Sequence, residues 1–359
     1  MLMNNSRIFL STNTLQKLLM ELRDDKFIYI IASFTSLCVI LIPIVFSLDG
    51  GYRFSFSLYL DVMWTGCYVT FILWSGYYYF KLLFNRESHP ICKYLLKLWC
   101  CIIPIERFLK FILNVFILNL SLSSYTYLKN IIPQLVDYRY DELFYEIDKF
   151  IHFGFSPWEL THSIFSNSYA TLLINFLYNI WFFLMWGLLL YALLTNNTKF
   201  RNQIILSFLL CWLLIGNLSA TLLSSAGPAF MHLLDSNHQQ YLPLINLLEH
   251  QRNFITDSTP FDLWAMDTQM LLWNSYIHMS QQLGSGISAM PSMHVSIAVL
   301  MALAGFSISK KIGYCLSIFA LFIQVGSVHL AWHYAIDGYV STLLTFLVWW
   351  SVKWLIKAN

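Results

Sequence analysis

The sequence predicts an all-α, polytopic membrane protein with about eight transmembrane helices, and three observations carry that expectation. Of 359 residues, 58% are apolar or aromatic and only 11% charged, against roughly 25% charged in soluble globular chains. The mean hydropathy is +0.59. Apolar stretches also recur along the chain at close to the roughly 20 residues that a helix needs to cross a bilayer.

Taken in order, the stretches are 27–48, 62–80, 111–128, 169–194, 204–223, 295–309, 312–330 and 339–350 with flanks. The third is the most dilute, with Asn114, Asn119 and several serines between Lys110 and Lys129. Before it, residues 93–110 mix Leu, Trp and Ile with Lys97 and Arg107, and Pro104 interrupts them, so an interfacial helix is expected there. Threading eight spans with the N-terminus inside leaves only Arg53, Lys129, Arg139, Lys149 and Arg252 outside, and therefore 16 of the 21 Lys and Arg inside. That asymmetry is the one the positive-inside rule requires of the cytoplasmic side. The expected setting is a bacterial inner membrane with both termini cytoplasmic.

No cleavable signal peptide is expected, because a mostly polar segment precedes a first apolar run long enough to stay in the membrane. The seven cysteines fall in spans or on the inner side, so neither a disulfide framework nor a zinc site is expected. A net charge of +2 with no basic patch argues against a nucleic-acid partner. Without internal repeats, the chain divides into residues 1–110, with a cytoplasmic segment, two extra helices and the interfacial segment, and 111–359, a six-helix core. Two long outer loops are expected, 129–168 with six acidic residues and 224–290 rich in tryptophan and amides.

Three segments are too polar for lipid, and the threading puts each at the outer end of a span. They are Ser224–Phe230, Ser288–His294 and His329–Gly338. In the last, His333 and Asp337 are four residues apart, one helical turn. A carboxylate there can fix the tautomer of a neutral imidazole and stabilise its cation. Ionisable residues at a membrane edge are functional candidates by default. Pro291 and Ser292 read as a helix start, where free N–H groups and the dipole favour an anion. His294 then sits in the first turn. His329 reads as a packed or interfacial histidine, and His152, His162, His232, His238, His250 and His278 as surface residues of the outer loops.

Pro291-Ser-Met-His294 and His333-Tyr-Ala-Ile-Asp337, with Ser225-Ala-Gly-Pro228 as a looser first motif, resemble the type 2 phosphatidic acid phosphatase superfamily. The nearest likeness is to the branch of inositol phosphorylceramide synthases and their bacterial relatives. The resemblance implies a six-helix phosphatase-type core and a lipid phosphatase or phosphotransferase. His333 would be the nucleophile forming a phosphohistidine, Asp337 its orienting carboxylate and His294 the proton donor and acceptor. Ser225, Gly227, Pro228 and Ser292 would bind the phosphoryl group, with backbone donors from the Ser292 helix start and the Gly227-Pro228 turn. No metal or organic cofactor is implied.

One departure matters. Phosphatase members usually carry Lys and Arg in the first motif and an Arg six residues before the nucleophilic His, where this chain has Ser327. Arg252 is the one basic residue between the first and second motifs and is the candidate to fold back. Fewer cations suit a phosphodiester monoanion better than a phosphomonoester dianion, which favours headgroup transfer to an alcohol or sugar-like acceptor. The competing readings are a transporter or channel using His294, His333 and Asp337 as a proton or ion path, and a histidine-carboxylate metal enzyme.

Overall fold

The computed structural model describes residues 19, 22–48, 50–102, 105–195 and 197–358; the N-terminal segment 1–18 and Pro104 lie outside them. Among the described residues there is no strand. Six helices are long and apolar enough to cross a membrane: α1 (Lys26–Val45), α4 (Ile105–Leu135), α7 (Ser168–Leu194), α8 (Thr198–Leu222), α13 (Lys310–His329) and α14 (Ala335–Ala358, apolar through Lys357). A seventh apolar helix, α12 (Met293–Ile308), has 16 residues. The remaining predicted span corresponds to α2 (Leu60–Phe84), long enough at 25 residues but made less hydropathic by its tyrosines and tryptophans. Each of the eight apolar stretches thus lies on a helix.

The expected interfacial segment is helical on both sides of residues 103 and 104. Residues 90–102 lie on helix α3 (Pro90–Ile102) and residues 105–110 on α4, with 103 and 104 outside the described residues. The expected domain boundary at 110/111 therefore falls inside one continuous helix. Helix α4, the dilute span, is half buried, with its polar residues facing inward. Asn119 Nδ2 and Ser123 Oγ donate to the Phe56 carbonyl at 2.7 and 3.2 Å, Asn130 Nδ2 donates to Ser285 Oγ at 2.8 Å, and Thr126 Oγ1 pairs with Tyr59 Oη at 2.8 Å. Buried polar groups need such partners. Apolar faces point the other way: Ile30, Phe34, Ile40 and Ile44 of α1 and Phe183 and Leu194 of α7 are exposed, as lipid-facing side chains are.

At the bundle end away from the three polar segments, Asp25 is fully buried between Arg201 Nη2 at 2.5 Å and Lys110 Nζ at 3.1 Å. These three residues come from three separate helical regions that the threading assigns to one side. Their meeting agrees with the threading itself.

The long loops hold helices of their own. Residues 136–167 form α5 (Asp141–Ile151) and α6 (Pro157–Ile164), and Lys129 is not loop but the penultimate turn of α4. Residues 224–290 contain α9 (Met231–Leu234), α10 (Leu242–Ser258) and α11 (Trp264–Ile277). Helix α5 is strongly amphipathic, turning Phe144 and two aspartates, Asp141 and Asp148, into the protein. Those two carboxylates position the site.

Candidate active site

The three polar segments meet. Ser225 accepts from the Ala289 N–H on its carbonyl at 2.9 Å and from the Met290 N–H on its hydroxyl at 3.1 Å, joining the first segment to the second. The Ser292 N–H donates to the Asp337 carbonyl at 3.3 Å, joining the second to the third. Gly227 has φ +92°, and a Cβ there would lie 2.7 Å from Ala289 Cβ and 3.2 Å from the Trp332 carbonyl oxygen. Only glycine gives both that backbone conformation and that closeness.

Helix α13 ends in a tight turn in which the Ser327 carbonyl accepts from Trp332 and His333 N–H at 2.9 and 3.0 Å. His333 thus lies just beyond one helix and two residues before the next. The expectation that His333 and Asp337 share one helical face is corrected here, since α14 begins at Ala335. The pair forms across the helix start instead: Asp337 Oδ2 receives His333 Nδ1 at 3.1 Å and the Tyr334 N–H at 3.1 Å. With Nδ1–H donated to the carboxylate, Nε2 is the ring nitrogen left to carry chemistry. Burial and the charge of Lys129 push the His333 imidazole down to about 3, against a bond to the Ala289 backbone that raises it. The ring is therefore neutral at ordinary pH.

Ser292 caps α12, accepting from the Val295 N–H at 3.5 Å, as its place before an apolar run predicts. His294, in the first turn, stacks on Tyr178 with ring centroids 4.7 Å apart and tilts against Trp181 at 4.3 Å. The Trp181 indole N–H also bonds the His294 carbonyl at 2.9 Å.

His294 and His333 line one cavity of about 400 Å³. From these histidines it extends past Tyr178, Trp181 and Phe182 to Met185 on α7, and to Trp212 and Gly216 in the middle of α8. In that stretch, Cys211–Ser219, α8 is π-helical. The wall is mostly apolar and aromatic, with Lys129, Asn179, Thr268 and Ser288 among its polar groups.

Two expected contributors go elsewhere. Arg252 is held by Asp262 through two bonds of 2.8 Å and by Asp267 at 2.6 Å, and it does not line the cavity. Acidic neighbours in its own loop satisfy the guanidinium, so it has no need to fold back. The first-motif turn does not offer free donors either. Ala226 and Gly227 N–H donate to Asp141 at 2.9 and 2.7 Å, and Pro228 has no N–H.

Three residues that the sequence left unassigned, Asp141, Asp148 and Lys129, shape the site. Asp141 takes those two N–H groups and the Tyr334 hydroxyl at 2.8 Å. Asp148 accepts from Ala335 and Ile336 at 2.6 and 2.9 Å, capping α14 immediately after His333. Lys129 lines the cavity with both histidines, and its charge acts on both. His162, read as a surface residue, is buried and stacks on His329 at 3.7 Å, while His329 bonds Thr171 at 2.9 Å and Thr161 at 3.2 Å. That pair lies outside the cavity lining.

Compared with models of protein families, residues 142–351, more than half of the chain, match the PAP2 superfamily. No curated protein and no solved structure shows significant similarity to the chain.

Proposed function

The chain belongs to the PAP2 superfamily, and from that premise we propose that it is an integral membrane enzyme that breaks a phosphoester bond of a lipid through a phosphohistidine at His333. The observation that carries this reading is the His333–Asp337 pair at 3.1 Å, opening with His294 into one largely apolar cavity.

His294 takes up a proton as the anionic substrate binds; Nε2 of His333 then attacks phosphorus, and the bond to the leaving oxygen breaks as His294 gives that oxygen the proton. Asp337 stabilises the positive charge that develops on His333. In the second half, water or an alcohol loses its proton to His294, attacks phosphorus and displaces His333. The faces of Tyr178 and Trp181 favour the protonated form of His294 through cation–π attraction. The cavity running to mid-helix suits the hydrophobic part of a lipid, with its phosphorus at the histidines.

Headgroup transfer is the favoured outcome, because the first motif lacks the cations that a dianionic phosphomonoester needs. By the charge asymmetry the site opens on the outer face of a bacterial inner membrane. The proposed roles of Ser225 and Gly227 are structural, holding the second segment, rather than direct phosphate donation.

The test is a mass-spectrometric assay in lipid nanodiscs with phosphatidic acid or phosphatidylinositol, with and without an alcohol acceptor, comparing wild type with His333→Ala. Product formed by wild type and lost in the variant, with acid-labile phosphate trapped on the wild-type chain, supports the reading. Free phosphate from phosphatidic acid or inositol phosphate from phosphatidylinositol reports hydrolysis, and a phosphorylated alcohol acceptor reports transfer. Equal turnover by the variant overturns the phosphohistidine route.

A further inference from the structure

We infer that Lys129 is the cation that holds the phosphoryl group in this site, and that its single charge matches the site to a phosphodiester monoanion. The inference rests on the phosphoryl-transfer reading above and adds to it the residue that answers the missing basic positions.

Four observations support it. Lys129 lines the same cavity as His294 and His333, near the outer end of α4. Among the described residues no carboxylate pairs with it, whereas Arg252, the other cation considered, is bonded to two. Its stem is clamped by Gly286, where φ is +99° and a Cβ would lie 2.9 Å from Lys129 Cγ. A loop closed that tightly over an aliphatic stem leaves the ammonium little freedom except toward the cavity. The wall also carries polar groups that find no protein partner, Trp332 Nε1 and Ser288 Oγ. An acceptor-rich guest such as a phosphoryl group would satisfy them.

Lys129 stands before the region 142–351 that matches the family. The charge thus comes from a helix upstream of the motifs. The charge that His294 carries as proton donor is offset by the Asp337 carboxylate, so Lys129 leaves the site one positive charge. A diester phosphate brings one negative charge, which that lysine neutralises; a monoester dianion leaves one uncompensated in a mostly apolar cavity, where burying charge is costly.

The experiment uses the full chain in nanodiscs, as wild type, Lys129→Gln and Lys129→Arg. One arm measures kcat and KM on phosphatidylinositol and phosphatidic acid. The other measures the thermal midpoint with and without inorganic phosphate. The expected result is a loss in kcat/KM on the diester of about tenfold or more in K129Q, the scale of one charge-assisted hydrogen bond. K129R should recover most of it, and phosphate should raise the midpoint of wild type and K129R but not of K129Q. Wild type should prefer the diester, and K129Q should lose that preference.

Unchanged kcat/KM in K129Q, or phosphate stabilisation equal in all three, overturns the role of Lys129. A loss in K129Q that K129R does not recover assigns the lysine to packing and overturns it too. Wild type that turns over neither lipid, yet gains stability from phosphate only when Lys129 is present, counts against the proposed reaction while upholding the anion site.

Discussion

Asp141→Asn should disturb the site more than its distance from the chemistry suggests. The buried carboxylate accepts from Ala226 N–H at 2.9 Å, Gly227 N–H at 2.7 Å and the Tyr334 hydroxyl at 2.8 Å. Bonds to a charged acceptor contribute about 1.5–3 kcal/mol each and neutral ones about 1. An asparagine keeps one oxygen, so the bonds to Gly227 and Tyr334 weaken, while its NH2 faces the Ala226 N–H donor and that bond is lost. The sum is roughly 3–5 kcal/mol. With an unfolding entropy of about 2 cal/mol/K per residue, a chain of this length should lose on the order of 5 °C in thermal midpoint. Tyr334→Phe removes one donor and should cost about a third of that. The two together should cost less than their sum, because they share a bond. Differential scanning fluorimetry in nanodiscs measures all three. An Asp141→Asn midpoint within about 1 °C of wild type would refute the argument that this carboxylate holds the first motif against the third.

Asp148 gives a pH prediction. Burial, opposed by its bonds to Ala335 and Ile336, lifts its carboxyl from 3.8 to about 6. The folded state therefore binds this proton more tightly than the unfolded state does. The stability gained is full below about 4 and lost as pH rises through about 6, a difference of up to about 3 kcal/mol. Midpoints at pH 4.5 and 7.5 should show a fall in wild type that Asp148→Asn lacks; identical pH profiles would contradict it. Arg252→Ala should leave turnover within about twofold and cost about 1 kcal/mol, since its partners are partly exposed. A fall of about tenfold in kcat/KM would return Arg252 to the site.

The spans were legible because a bilayer imposes a length and a composition on each helix separately. His294, His333 and Asp337 were legible because their spacing is local and their polarity conflicts with their apolar flanks. What escaped depended on partners distant in the chain. Lys129 reads as an ordinary lysine bracketing a span, and its place in the cavity lining beside Gly286, 157 positions away, is visible only in the fold. Asp141 and Asp148 read as solvated charges in an acidic loop, yet their bonding partners lie 85 to 193 positions away. Arg252 failed as a candidate for the opposite reason, since Asp262 and Asp267 were close in sequence and available. His162 looked like a loop residue until α6 packed it on His329.

The π-helical stretch Cys211–Ser219 sets a constraint on how this chain can change. Each residue of an ordinary helix turns the chain by about 100°, and a π segment holds an extra residue within its turns. Removing one residue between 211 and 219 would let α8 relax to a regular helix at little cost to its apolar character. Because the π turns absorb that extra residue, the helix on either side would keep its place, while the residues inside the stretch, Trp212 and Gly216 among them, would shift around the axis relative to the cavity wall. A single-codon deletion in this lipid-embedded stretch would thus reshape the lining and leave the Ser225–Gly227 turn seated, where the same deletion elsewhere in α8 would swing that turn by about 100°.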